Sequence, residues 1–331
     1  MAPRVTNVDL VRFRGIYGSM SDLYLVTGGA GFIGSHIVQR LVRDGQRVRV
    51  VDNLSTGNSA RLASVASAIE FIEGDLAEFS TSERALDGVD FVLHQAAIPS
   101  VQRSIRDPLA SNRANVTATL NLLEASRLGN VRRFVYAASS SAYGDTKILP
   151  KREDMPSNPL SPYALQKFVG ERYCKLYYDL HGLQTVSLRY FNVFGPAQDP
   201  DSEYSAVIPK FISRLLGGLP LTVFGDGEQS RDFTYVDNVV EANLLALKSE
   251  DAPGKVINIG CGEALSLNRL IAYLQEILKT KAIVEYQPAR PGDVRDSLAA
   301  IDLARASLGY SPRIDVDEGL KMTVEFFRSR V

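Results

Sequence analysis

The chain of 331 residues has no tryptophan, only two cysteines and only three histidines. Cys174 and Cys261 lie far apart with no CxxC spacing, which excludes a disulfide framework and fits a reducing compartment. His36, His94 and His181 are scattered, so no metal site is expected. Excess charge is lacking too: 37 Lys and Arg face 38 Asp and Glu, for a formal net charge of -1. Binding to nucleic acid or to a membrane surface gains no electrostatic support from that balance. No apolar run approaches the roughly 18 residues of a membrane span. Residues 1–20 lack the long apolar core of a secretory leader and are read as an N-terminal extension, with Met20 as an alternative start. These absences leave a cytoplasmic globular protein, and its length suggests about two domains.

What is present is alternation. LYLVT (23–27), RVRVVD (47–52), IEFIEGD (69–75), VDFVLHQAA (89–97), RRFVYAAS (132–139) and LQTVSLRY (183–190) read as strands. Between them lie amphipathic stretches, including 32–45, about 108–128 and the helix opened by SPYALQK. Such alternation predicts an α/β fold with a doubly wound parallel sheet. After Tyr190 the pattern loosens. Residues 192–232 are rich in Gly, Pro and Asp, then YVDNVVEANLLALKS reads as a helix and KVINIG (255–260) as a strand. Residues 263–331 read as helical with charged loops. The expected division is a nucleotide-binding domain of residues 21–190 and 233–262, and a smaller, discontinuous, mostly helical C-terminal domain of 191–232 and 263–331.

TGGAGFIG (27–34) follows the first strand and opens a helix. Gly28, Gly31 and Gly34 let the backbone turn tightly and approach a pyrophosphate, which sits on the helix N-terminus. Asp52 ends the second strand, where an acid binds a ribose 2′-hydroxyl and repels a 2′-phosphate, so NAD is favoured over NADP.

In SPYALQK (161–167), Ser161 is a good N-cap and Pro162 suits the first helical position. Tyr163 and Lys167 then share one helical face. A free phenol has a pKa of about 10, and lowering it to about 7 takes roughly 4 kcal/mol. Lys167, the helix N-terminus and a nicotinamide cation are the available sources. Such a phenol takes a proton from an alcohol while a hydride leaves for the cofactor. A second YxxxK, Tyr143 to Lys147, contains Gly144 and Asp145 and is not aligned by a helix. Ser139, Ser140 and Ser141, at the carboxyl edge of the fifth strand, are candidates to orient the alcohol.

TGGAGFIG, Asp52 in VDNLSTG, SSSAYG, YALQK and RYFNVFG together resemble the extended short-chain dehydrogenase/reductases, over nearly all of residues 21–331. Within them the chain is most similar to nucleotide-sugar 4-epimerases, especially the UDP-N-acetylglucosamine 4-epimerase branch. The resemblance implies a Rossmann domain and a catalytic set of Ser139, Tyr163 and Lys167, with Ser141 either taking the serine role or touching the sugar. It implies a cofactor lined by Phe32, Ile33, Asn53, Ser55, Thr56, Gly57, Gln95, Ala96, Ala97, Asn115 and Tyr190, with Asp75 and Leu76 near the adenine. For the UDP-sugar it implies Ser100, Asn192, Val207, Val223, Phe224, Arg231, Arg290, Asp293 and Ser297. An Arg and Asn for diphosphate and an aromatic near uracil make chemical sense. It also implies a homodimer through helices 108–128 and 162–181, with Leu122, Phe168, Tyr173 and Leu176 compatible.

The implied cycle has no net redox change: Tyr163 takes the C4 hydroxyl proton, NAD takes the C4 hydride, the 4-keto sugar turns over, and the hydride returns to the other face. Tight NAD binding is then expected. Dehydratases need an acid to expel the C6 hydroxyl, and SSSAYG offers none, so dehydratases and related decarboxylases are disfavoured. Ser297, in PGDVRDSLA, matches a position that is bulky in epimerases restricted to UDP-glucose and UDP-galactose. A small residue there leaves room for a 2-acetamido group, without excluding plain sugars. Pro99 departs from the glycine or lysine of relatives. A uronic-acid form of the acetamido sugar, a net nucleotide-sugar dehydrogenase and a non-catalytic NAD sensor are the other readings.

Overall fold

The computed structural model describes residues 22–200, 206–289 and 294–330. The N-terminal extension and the expected site residues Arg290 and Asp293 lie outside the described residues. The first half alternates as β1 (Leu23–Thr27), α1 (Phe32–Arg43), β2 (Arg47–Asp52), β3 (Ile69–Glu73), α2 (Phe79–Leu86), β4 (Phe91–His94), α3 (Val101–Arg106), α4 (Pro108–Asn112), α5 (Ala118–Leu128), β5 (Arg133–Ser139), α6 (Pro162–His181) and β6 (Thr185–Tyr190). A 3-10 segment, Ser59–Ala68, joins β2 to β3, and a π turn, Arg113–Thr117, joins α4 to α5. The second half runs β7 (Val193–Phe194), α7 (Val207–Leu216), β8 (Leu221–Phe224), β9 (Ser230–Arg231), β10 (Thr234–Tyr235), α8 (Val236–Lys248), β11 (Val256–Ile259), β12 (Leu265–Ser266), α9 (Leu267–Leu278), β13 (Val284–Gln287), β14 (Asp296–Ser297), α10 (Asp302–Leu308) and α11 (Val316–Arg328).

Seven strands form one sheet in the order β11-β6-β5-β4-β1-β2-β3, all parallel. The strand order reverses between β1 and β4, which opens a crevice at their carboxyl ends. Both faces are covered, and the two-residue period of a strand sorts side chains between them. Val26, Val50, Leu93 and Val135 pack with α1 and α8, whereas their neighbours Leu25, Val51, Val92 and Phe134 pack with α2, α5 and α6.

A separate apolar cluster forms in the second half of the chain: Phe211 and Ile212 of α7, Leu221 and Val223 of β8, Leu270 and Leu274 of α9, and Leu320 and Val324 of α11. Two stretches cross the division expected from sequence. Ala304, Leu308 and Tyr310 pack on the core of the large sheet, and Phe233, Tyr235 and Val236 pack in the other cluster. Short strands, β8 with β13 and β12-β9-β14, also interrupt the expected helical run.

α6 begins and ends as its sequence dictates. Ser161 Oγ accepts from Ala164 N at 3.1 Å, Pro162 occupies the first turn, and Gly182 closes the helix in the left-handed region at φ 72°. The helix lies hard against β5: a Cβ on Gly170 would stand 2.2 Å from Tyr136 Oη. Leu122, expected at a dimer face, is fully buried in the core instead. The exposed large apolar side chains on these helices are Leu109, Leu128, Leu165, Leu176 and Leu180. Among the described residues, no helix is long and apolar enough to cross a membrane.

Candidate active site

The crevice continues into a cleft of about 1290 Å³ that runs from the β1–α1 turn to β14. At its floor the glycine turn is set by close approach. Gly28 has φ 63°, and a Cβ there would meet Ala96 Cα and N at 2.7 Å. A Cβ on Gly34 would stand 2.2 Å from Gly28 O. The turn therefore presents bare backbone at the N-terminus of α1, the cradle a dinucleotide pyrophosphate requires. Asp52 faces the same floor: Oδ2 accepts from Ala30 N at 3.0 Å and Oδ1 from Leu54 N at 2.9 Å. Each oxygen keeps a further lone pair for a ribose hydroxyl.

A buried chain of polar groups fixes the switch point. Thr119 Oγ1 donates to Asn115 O at 2.7 Å, so His94 Nε2–H donates to Thr119 at 2.9 Å. His94 Nδ1 then accepts from Thr27 Oγ1 at 2.7 Å, and Thr27 Oγ1 accepts from Ala96 N at 3.2 Å. Burial, aided by the Lys167 charge, pushes His94 down to about 3, so the imidazole is neutral.

The Tyr163–Lys167 pair lies where the spacing predicted, on the first turns of α6 and along the cleft. Lys167 Nζ donates to Ala137 O at 2.8 Å and sits 5.0 Å from the Tyr136 ring centroid. Burial lowers Lys167 to about 8, against the attraction of Cys174 and Glu171. Burial also raises the Tyr163 phenol, while a hydrogen bond with Ser139 holds it down. The expected lowering by Lys167 is not among the influences on the phenol; burial sets the direction and Ser139 opposes it. Ser139 Oγ also accepts from Ser141 Oγ at 2.8 Å and from Ser141 N at 3.2 Å. Of the serine run, Ser139 is therefore the partner of Tyr163.

Most expected residues line the cleft: Gly28, Gly31, Phe32, Ile33, Gly34, Asp52, Asn53, Ser55, Thr56, Asp75, Leu76, Gln95, Ala96, Ala97 and Tyr190 on the dinucleotide side. Ser100, Ser139, Ser141, Asn192, Arg231 and Ser297 line it further along. Tyr190 Oη is held by Asn243 Nδ2 at 2.8 Å and faces Gln95 Oε1 at 3.2 Å.

Five expected residues do not line it. Asn115 lies behind the wall, its Oδ1 accepting from Ile98 N at 2.7 Å and its Nδ2 donating to Gln166 Oε1 at 2.9 Å. Gly57 backs the Asp52 carboxylate, where a Cβ would stand 2.9 Å from Oδ1. Val223 is buried in the apolar cluster around α7 and β8 because its strand turns that face inward, and Val207 packs against the same cluster. Phe224 is half-buried beside it. Arg61, Lys151, Gln198 and Lys210 line the cleft without having been singled out. Each reaches it by a long-range fold, so no local motif marks them.

The sequence profile of the NAD dependent epimerase/dehydratase family matches residues 24–260. A UDP-glucose 4-epimerase of Mycolicibacterium smegmatis is 39% identical over 310 residues, covering 92% of this chain and 98% of the relative. A UDP-N-acetylglucosamine 4-epimerase of Methanobrevibacter ruminantium, solved with UDP-N-acetylmuramic acid, is 41% identical with a TM-score of 0.90. It covers 94% of this chain and 100% of its own. A Bacillus cereus UDP-glucuronic acid 4-epimerase, solved with UDP-glucuronic acid and NAD, is 33% identical with a TM-score of 0.87, covering 93% and 100%.

Proposed function

The chain belongs to the NAD dependent epimerase/dehydratase family, and from that premise we propose that it interconverts UDP-N-acetylglucosamine and UDP-N-acetylgalactosamine. It is an isomerase, an NAD-dependent UDP-sugar 4-epimerase, as its relatives of near-equal length are. The choice of the acetamido sugar rests on one observation. Ser297 is a small side chain in the cleft wall, 6% exposed, where its strand pairs with the segment carrying Arg231. A pocket that leaves space beside the sugar admits a 2-acetamido group, and unacetylated UDP-glucose also fits.

NAD, when bound, supplies the hydride acceptor and donor. The glycine cradle and the Asp52 carboxylate would hold its pyrophosphate and ribose, and that carboxylate would repel a 2′-phosphate. Tyr163 takes the proton from the C4 hydroxyl and returns it after the sugar has turned. Ser139 donates toward the phenol and favours its ionised form. Lys167 contributes a cation one helical turn below. Arg231 and Asn192 line the cleft and would face the nucleotide of the substrate. We extend the reading to a homodimer that covers Leu109, Leu165 and Leu180, with light scattering as its check.

The test is to follow anomeric NMR signals of purified protein, without added NAD, given UDP-N-acetylglucosamine or UDP-glucose. Faster conversion of the acetamido sugar is expected. Replacement Ser297→Tyr should then spare UDP-glucose and block the acetamido substrate. Unchanged selectivity in that variant overturns the reading of the pocket.

A further inference from the structure

Arg61 joins two parts of the chain that share no local sequence. It lies in the 3-10 segment after β2, anchored from α1 by Gln39 Nε2, which donates to Arg61 O at 2.9 Å. Its side chain is half-buried and lines the cleft. One prong, Nη1, donates to Ala30 O of the glycine turn at 3.2 Å. The other, Nε, donates to Ala197 O at 3.1 Å, across 136 residues of chain. Ala197 itself is in the left-handed region, φ 61°, which is unfavourable for a residue with a Cβ. Such a conformation persists where its surroundings over-determine it, and it marks a candidate functional constraint. Its neighbours Gln198 and Asp199 line the cleft, and Asp199 and Asp52 both act on the Arg61 charge.

A planar guanidinium with a fixed fork suits this double contact, whereas an ammonium is a single point charge. We propose that Arg61 is a further cofactor-retaining residue: it clasps the 195–199 loop to the glycine turn and closes the dinucleotide crevice, so that NAD stays through repeated turnovers. This rests on the reading of the cleft as an NAD site. Release of the cofactor then requires the clasp to open, and residence is set partly by this side chain.

The test compares NAD-loaded wild type with Arg61→Ala and Arg61→Lys. NAD release is followed after rapid gel filtration, and hydrogen exchange is followed in residues 195–199. The expected result for Arg61→Ala is release faster by about ten- to a hundredfold, the range for losing charge-assisted hydrogen bonds. Exchange of the loop rises while the sheet stays protected. Arg61→Lys, which keeps the charge and stem, should still release NAD faster than wild type, and it carries the test if the alanine variant does not fold. Wild-type release and wild-type loop exchange in a folded variant overturn the clasp. Wild type that binds no NAD overturns the reading of the site, while loop exchange still tests the clasp by itself.

Discussion

Replacing Lys167 by methionine should stabilise the fold near neutral pH, although it removes a group the mechanism needs. Burial shifts Lys167 from its ordinary 10.5 to about 8. At about 1.4 kcal/mol per pH unit, that disfavours the ammonium by roughly 3 kcal/mol. The unfolded chain binds the proton more tightly than the folded one, so wild-type stability rises with pH between the two values. The full penalty is present below about pH 8 and fades as pH approaches 10.5. Methionine fills similar space, carries no charge, and leaves the Ala137 carbonyl without the 2.8 Å bond from Nζ, a loss of about 1–2 kcal/mol. The net gain near neutral pH is then about 1–2 kcal/mol. The variant's advantage should fall by about 3 kcal/mol as pH rises through that window and reverse sign near its upper end, where only the lost hydrogen bond remains. Denaturant melts of NAD-free protein at several pH values between 7 and 10.5 read this difference directly, and titrating groups away from Lys167 cancel in it. A difference that does not change with pH would refute the claim that Lys167 is held charged at a cost.

Three further outcomes follow from the same contacts. Tyr163→Phe should abolish epimerisation and leave NAD bound, read by product NMR and by cofactor absorbance; full activity would sink the proton-shuttle role. Gly170→Ala places a Cβ 2.2 Å from Tyr136 Oη, so it should lose about 1–3 kcal/mol in denaturant melts, and Tyr136→Phe in the same chain should restore part of it. Arg189→Met strands Glu171, 1% exposed, from its 2.7 Å partner, so the fold should lose about 3–5 kcal/mol; a loss below the size of a surface pair would refute the pairing.

The large sheet was legible because its evidence is local. Strand alternation, the glycine turn after β1 and Ser161-Pro162 before α6 each act within a few residues, and each stands where the spacing put it. The Tyr163–Lys167 pair was legible for the same reason, since four residues on a helix is one face. The helix Val207–Leu216 was hidden in a stretch read as loose, because Gly and Pro on both sides dominate its composition. Asn115 shows the opposite failure. Its residue type suits a cofactor contact, but its side chain is consumed by Ile98 and Gln166, and only the fold reveals those partners.

The sugar end of the cleft resists sequence reading for a physical reason. Its walls come from segments that meet only after folding: Lys151 pairs its backbone with Leu298 and Ala300, and its Nζ donates to Gly144 O at 3.0 Å. Asp232 then ties the carboxyl end of β11 to the strand beyond Ser297, its Oδ2 accepting from Gly262 N at 2.9 Å and from Ala299 N at 3.1 Å. Burial raises that carboxylate to about 6, and backbone donors, rather than a cation, oppose the shift. The position of Ser297 is therefore set by contacts as far as 67 residues apart in sequence, from a residue buried beneath the cleft wall. Selectivity should accordingly respond to substitutions at Asp232 that never touch the sugar, whereas the dinucleotide end should respond mainly to residues on its own short turns.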